Sequence, residues 1–262
     1  MTLTHFTRAL VTGASSGIGE AMCRLLARQG IPLIITGRDI SRLNALAEKL
    51  KDQVDVIVVA ADLFNPLERQ KLIELLYEHH PDLIINNAGF GLYGDILTHQ
   101  TKEQMKIIDV NVSAVVELTI ESAKTLAAID KKGVILNISS AADKLIFPAF
   151  SIYCASKAFV TQFSQSLDYE MKPHGIRVLV ASPGRVDTSF AERASGSSKA
   201  SKSWFSMSSE YAAERLWQQI RNGQSYQIFD WKTRLGSFFL RFVLPKRIAA
   251  RILWSSIQRY GE

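Results

Sequence analysis

Three residues of this chain have the types and spacing to move a proton: Ser140, Tyr153 and Lys157. Tyr153 and Lys157 are four positions apart, so on a helix they share one face and an ammonium stands beside a phenol. A free phenol has a pKa near ~10 and is a poor acid or base at neutral pH. A fixed cation favours the phenolate and is expected to draw that value towards the working range. Ser140 lies far enough upstream to come from the end of a preceding strand and hydrogen-bond the same substrate oxygen. A Tyr-x-x-x-Lys pair on its own is ordinary helix surface, so its weight depends on the rest of the chain.

The N-terminal stretch supplies that weight. Arg8–Thr12 reads as a short apolar strand, followed by Thr12-Gly13-Ala14-Ser15-Ser16-Gly17-Ile18-Gly19 and a helical pattern through Arg28. A strand, a Gly-rich turn and a helix start form an anion site, because backbone N–H groups and the helix dipole face a pyrophosphate and glycine allows close approach. Without a ligand the same pattern is a tight βα turn. The second strand ends Ile34-Ile-Thr-Gly37-Arg38. Binding sites that prefer NAD place an acid there for the ribose hydroxyls. Gly37 occupies the place instead, and Arg38 can pair with a 2′-phosphate, so NADP(H) is the expected cofactor. Asp39 reads as the cap of the next helix.

Together these stretches resemble the short-chain dehydrogenase/reductase family. The T-G-x-x-x-G-x-G loop matches its dinucleotide loop, Asn86-Asn87-Ala88-Gly89 its N-N-A-G motif, and Pro183-Gly184-Arg185-Val186-Asp187-Thr188 its P-G-x-V-x-T segment. Asn111, Ser140, Tyr153 and Lys157 match its catalytic tetrad in order and spacing. The match runs from about residue 7 to 190, and more loosely to 229. The resemblance implies that Tyr153 is the general acid in reduction and the base in oxidation. Lys157 would tune it and hold the nicotinamide ribose, Ser140 would polarise the carbonyl, and Asn111 would hold a water linking Lys157 to solvent. It implies cofactor contacts from Gly13, Ser15, Ser16, Gly17, Ile18 and Gly19 in the loop, and from Asp62 and Leu63 near the adenine. Asn87, Ala88 and Gly89, then Pro183, Gly184, Val186 and Thr188, would complete the cofactor site with Arg38, Tyr153 and Lys157. Asp143 departs from the pattern, standing where the family often has Gly, and is expected to alter the shape or charge of the pocket edge.

The elements that must position these residues alternate along the chain. Apolar runs occur at Ile31–Thr36, Val54–Ala60, Leu83–Asn86, Val134–Ser139, Arg177–Ala181 and Tyr226–Phe229. Helical periodicity fills 17–29, 41–51, 66–78, 102–129, 152–172 and 209–222. Near-continuous apolar strands between helices predict a doubly wound α/β fold with a seven-stranded parallel sheet, Rossmann-like, in one domain. That domain spans 1–230, with 189–208, rich in Ser and Gly before Trp204-Phe205, as a candidate substrate lid. Residues 231–262 form a basic amphipathic extension.

The bulk properties narrow the class. A chain of 262 residues suits one α/β domain with a large core. Two cysteines, Cys23 and Cys154, give no disulfide framework. Met1–Thr7 has no apolar core of a signal peptide, and no run of about 18 uncharged apolar residues follows. A cytoplasmic setting is the default expectation. The extension carries the whole formal excess of +6: Lys232, Arg234, Arg241, Lys246, Arg247, Arg251 and Arg259 against Glu262. With Phe238, Phe239, Phe242 and Trp254 beside these charges, it reads as a peripheral contact with an anionic inner-membrane surface, a dimer contact, or a helix folded on its own domain. No metal is expected, since His79-His80 lack ligand spacing, and no G-x-S-x-G elbow suggests a hydrolase. The expected function is NADP(H)-dependent interconversion of an apolar ketone or aldehyde and its alcohol, in a homo-oligomer without a nucleic-acid partner. The competing readings are a 3-oxoacyl carrier-protein reductase and a non-catalytic NADPH-binding regulator.

Overall fold

The apolar runs become strands, the five central ones buried on both faces and the two edge strands only partly buried. In the computed structural model, β1 (Ala9–Thr12), β2 (Leu33–Gly37), β3 (Val56–Ala60), β4 (Leu83–Asn86), β5 (Gly133–Ile138), β6 (Ile176–Ser182) and β7 (Tyr226–Ile228) form one sheet. Their order is β3-β2-β1-β4-β5-β6-β7, and every neighbouring pair is parallel. Parallel neighbours require crossovers. These carry α1 (Gly17–Arg28), α2 (Ile40–Leu50), α3 (Pro66–His79), α4 (Thr101–Ile108), α5 (Ala114–Ala128), α6 (Ser151–Met171), α7 (Phe190–Ser195) and α8 (Ser209–Asn222). A further helix, α9 (Trp231–Phe238), follows β7. The structure describes residues 5–195, 206–229 and 231–238, and positions 245, 247, 248, 250, 251 and 254.

Strand side chains alternate between two apolar layers. Leu10, Ile34, Ile84, Ile135 and Val178 face Leu72 and Leu76 of α3 and Leu118 of α5. Their neighbours Val11, Ile35, Ile85, Leu136 and Leu179 face Leu26 of α1, Leu43 of α2 and Leu216 of α8. Fully burying one such side chain contributes about 1.5–3 kcal/mol. The strand order reverses between β1 and β4, so a crevice opens at their C-terminal ends, where ligands of such sheets bind.

Local chemistry fixes the element ends. The long helix α6 stops at a short 3-10 turn, Lys172–His174, containing Pro173, and Gly175 closes it at φ 72°. Asp39 caps α2, its Oδ1 accepting from the Arg42 N–H at 3.0 Å. Asp39→Ala is therefore expected to cost about 0.5–2 kcal/mol of stability, read as a lowered midpoint in urea at unchanged slope.

The periodicity of 102–129 predicts one helix, and the structure departs from it. Between α4 and α5 a π-helical turn, Asp109–Ser113, inserts a wider hydrogen-bonded turn and holds Asn111. Of the candidate lid, α7 and the return at Met207, which bridges to Val186, are described. Its Ser-rich stretch and Trp204-Phe205 lie within 196–205, outside the described residues. Most of the C-terminal extension also lies outside them, but its first helix, α9, packs beside the 3-10 turn Ala141–Lys144 and β7. Among the described residues no helix is long and apolar enough to cross a membrane.

Candidate functional site

The Gly-rich turn between β1 and α1 shapes the floor of the crevice. Gly13 has φ +66°, and a Cβ there would stand 2.9 Å from Asn87 Nδ2. Gly17 opens α1 at φ +58°, where a side chain is strained. The Ser16 side chain makes no capping bond, which leaves the first N–H groups of α1 available to an anion. Asn87 locks the turn from the side: its Nδ2 donates to the Thr12 carbonyl at 2.9 Å. Thr12 Oγ1 in turn accepts from the N–H groups of Asn87 at 3.0 Å and Ala88 at 2.9 Å. Thr12 is a residue whose second role, as acceptor for the N-N-A-G segment, was not apparent from its place in the motif.

The candidate proton-moving groups meet at the other end. Tyr153 and Lys157 lie on one face of α6 and are 8% and 4% exposed. Lys157 Nζ donates to the Ile138 carbonyl at 2.9 Å, and a Cβ at Gly89 would approach it to 3.2 Å, so glycine leaves the ammonium its room. Burial pulls the Lys157 pKa down to about 8. Tyr153 corrects the sequence expectation. Burial pushes its phenol well above the ordinary range, and a hydrogen bond with Ser140 opposes this. The ammonium stands 5.7 Å from the Tyr153 ring centre, and desolvation is the largest influence on the phenol. The phenol therefore carries its proton at neutral pH, and the raised pKa makes it a weaker acid in the unliganded site. Ser140 Oγ accepts from the Ala142 N–H at 3.2 Å, which leaves its own hydrogen to donate.

Asn111 is fully buried behind these groups. Its Nδ2 donates to the Phe90 carbonyl at 2.9 Å and to Ser156 Oγ at 3.1 Å, and its Oδ1 accepts from the Phe90 N–H at 3.1 Å. Ser156 Oγ donates to the Tyr153 carbonyl. The π turn thereby ties the loop after β4 to α6. Ser156 escaped the sequence reading; its place between Tyr153 and Lys157 is the signal that could have found it.

One cavity of about 740 Å³ joins both ends. Gly13, Ser15, Ser16, Gly17 and Ile18 line it, as do Arg38, Asp62 and Leu63, then Asn87, Ala88 and Gly89. Ser140, Tyr153 and Lys157 line the far end, with Pro183, Gly184, Val186 and Thr188 along one side. Gly19 and Asn111 are the expected site residues that do not line it. A Cβ at Gly19 would strike the Gly13 carbonyl at 2.3 Å, so this glycine serves the packing of α1 against the turn.

Three features of the cavity were not read from the sequence. First, rings surround Tyr153: Phe150 stacks on it at 4.2 Å between ring centres, Tyr93 stacks on Phe150 at 4.0 Å, and Phe190 lies 5.5 Å from Tyr153. Phe147 meets Phe150 edge-on at 6.0 Å. Second, α9 supplies Thr233 and Gly236 to the wall, and Gly184 admits Thr233 closely. Third, cations gather at the Arg38 end. Arg193 of α7 lines the same cavity, and burial first, then Arg38 and Arg42, lower its pKa. Asp143 is also placed differently from the expectation that it shapes the pocket edge. Its side chain turns inward, 7% exposed, towards Thr161 and Ser182. The 3-10 turn that follows Ser140 sends it behind the wall.

The sequence profile of the short chain dehydrogenase family matches residues 7–199. A sulfoacetaldehyde reductase from Chromohalobacter salexigens is 32% identical over 214 residues, covering 80% of this chain and 85% of the relative. A short-chain dehydrogenase from Sphingobium yanoikuyae, solved in complex with NADPH, is 29% identical, with 96% of each chain covered and a TM-score of 0.81. The bulky-bulky ketone specific alcohol dehydrogenase from Comamonas testosteroni is 26% identical, covering 97% of this chain and 96% of that one, with a TM-score of 0.77.

Proposed function

The chain belongs to the short-chain dehydrogenase family and is an oxidoreductase of alcohol and carbonyl groups, and from that premise we propose that it reduces a bulky apolar ketone or aldehyde with NADPH. The observation that carries this reading is a single cavity with a neutral phenol walled by rings at one end and guanidinium groups at the other. A dinucleotide fits the residues present. The cradle at Gly13 and Gly17 would be filled by any Cβ, and the N–H groups at the start of α1 suit a pyrophosphate. Arg38, with Arg42 and Arg193 near it, suits a 2′-phosphate.

When bound, such a cofactor supplies hydride to the carbonyl carbon. The chain's own work is to place the carbonyl and manage its proton. Ser140 turns the hydrogen it directs at the Tyr153 phenol onto the carbonyl oxygen, and Tyr153 delivers the proton as negative charge develops there. Lys157, fixed by the Ile138 carbonyl, keeps a positive charge beside the phenol below about pH 8 and has donors left for a ribose hydroxyl. Asn111 holds the loop carrying Gly89 and Phe90 against α6, which keeps room for the ammonium. Phe150, Tyr93 and Phe190 exclude water and offer flat apolar surface, which favours a substrate with bulk on the carbonyl flanks.

The test is NADPH consumption over a panel running from small aliphatic ketones and aldehydes to ketones with aryl groups on both flanks, with a 3-oxoacyl thioester included. The reading expects kcat/KM to rise with flank size. Preference for the thioester would favour a carrier-protein reductase, and tight NADPH binding without any turnover would favour a regulator.

A further inference from the structure

Three carboxyl groups among the described residues are buried: Asp82, Asp143 and Asp168. Asp82 has Lys131 at 3.5 Å and Asp168 has Arg177 at 2.8 Å, but among the described residues no cation stands within ion-pair distance of Asp143. The described charged and titratable groups around it come from its own turn, β7 and α6, and Arg234 lies on α9, which packs beside the turn. Lys144, on the same turn, sets its ammonium 3.9 Å from the Tyr226 ring centre. Tyr226 of β7 places its hydroxyl 3.5 Å from Asp143 Oδ2, and α6 contributes Tyr153 and Cys154.

The hydroxyl groups on Asp143 allow a proton count. Ser139 Oγ donates its one hydrogen to the Lys157 carbonyl at 2.8 Å. Thr161 Oγ1 stands 2.7 Å from Ser139 Oγ, so that contact takes the hydrogen of Thr161. Thr161 Oγ1 is also 2.7 Å from Asp143 Oδ2, and no hydroxyl hydrogen remains for that bond. A proton on the carboxyl completes it. Ser182 Oγ, at 3.0 Å, then donates to the same oxygen. The other oxygen, Oδ1, is buried with no partner among the described residues. An unpaired carbonyl-like oxygen there is far cheaper than half of an unsolvated carboxylate. Burial raises the Asp143 pKa and outweighs the lowering by its Thr161, Ser182 and Tyr226 partners and by Lys144, so the net direction is that of this count.

We infer that Asp143 is held as a neutral acid donating its proton to Thr161, and that the chain Asp143–Thr161–Ser139–Lys157 carbonyl positions the proton-moving groups of the site. The link to the site is direct. Asp143 N–H donates to the Ser140 carbonyl at 2.9 Å, and the chain ends on the backbone of Lys157. Asp143 is thus a positioning residue. This second half rests on the proposed reaction; the protonation state does not.

The experiment uses the full chain labelled with aspartate carrying ¹³C at Cγ, and follows its resonances between about pH 5 and 8, where ordinary aspartates are ionised. One resonance is expected to keep the shift of a protonated acid at neutral pH and to be missing from Asp143→Asn. The asparagine amide can donate to Thr161, so this variant is expected to hold kcat within about threefold over that pH range. Asp143→Ala leaves Thr161 and Ser182 without their partner and is expected to lower kcat about tenfold at little change in KM. Absence of a protonated aspartate in the wild-type protein at neutral pH overturns the inference, whether or not the variants fold. Loss in Asp143→Asn as deep as in Asp143→Ala overturns the neutral donor, and wild-type kcat in Asp143→Ala overturns the positioning role. A protonated Asp143 in a protein that reduces no carbonyl would fault the proposed reaction and leave the proton chain standing.

Discussion

Tyr153→Phe is expected to lower kcat by about a hundred- to ten-thousand-fold while NADPH binds as before, because a positioned general acid contributes on that scale. The substitution removes the hydroxyl and little else. The ring keeps its stack on Phe150 and its contact with Phe190. Burial raises the phenol's pKa, so it carries its proton at neutral pH and gives it up only as negative charge develops on the substrate oxygen. Lys157 is pulled down to about 8 by burial and its ammonium is lost as pH rises through that value, so wild-type reduction should weaken there. The measurement is kcat from NADPH absorbance together with the cofactor Kd from fluorescence. Near wild-type turnover in Tyr153→Phe would remove the phenol from the mechanism.

Arg38→Ala should weaken NADPH by about 1.5–3 kcal/mol, the range for a hydrogen bond to a charged group, and leave NADH nearly unchanged. Arg38 follows a strand end that carries Gly37 and no acid. The adjacent acid, Asp39, is engaged in capping α2 and lies 3.3 Å from Arg42, so it does not neutralise the site for a phosphate. Arg42 and Arg193 remain near the vacated position, which places the loss within this range rather than beyond it. Titration of both cofactors against wild-type and variant protein separates the outcomes. Equal losses for NADPH and NADH would mean that Arg38 does not read the 2′-phosphate.

The sheet was legible because strands buried on both faces need uninterrupted Val, Leu and Ile, and such runs punctuate the chain between helical stretches. Most of the cavity lining was legible because the motifs sit at strand ends and helix starts, where the fold brings them together. The π turn at Asn111 was not: the apolar pattern continues through it without a Gly or Pro to mark the change. The rings of Tyr93, Phe147, Phe150 and Phe190 come from separate loops and from the start of α7, and periodicity says nothing about where loops converge. The four-residue spacing of Tyr153 and Lys157 predicted a shared helix face but not the depth of burial, which reverses the expected direction of the phenol's shift. The inward turn of Asp143 depends on the 3-10 geometry after Ser140, which the residue types alone do not set.

The proposed reaction is hydride transfer from NADPH to a bulky carbonyl beside Tyr153. Its most direct test supplies the wild-type protein with a diaryl ketone and NADPH deuterated on either face of the nicotinamide C4, and analyses the alcohol by mass spectrometry. Deuterium is expected on the carbinol carbon from one labelled face only, in proportion to NADPH consumed. NADPH binding without labelled alcohol, across the whole range of ketones and aldehydes, would contradict it.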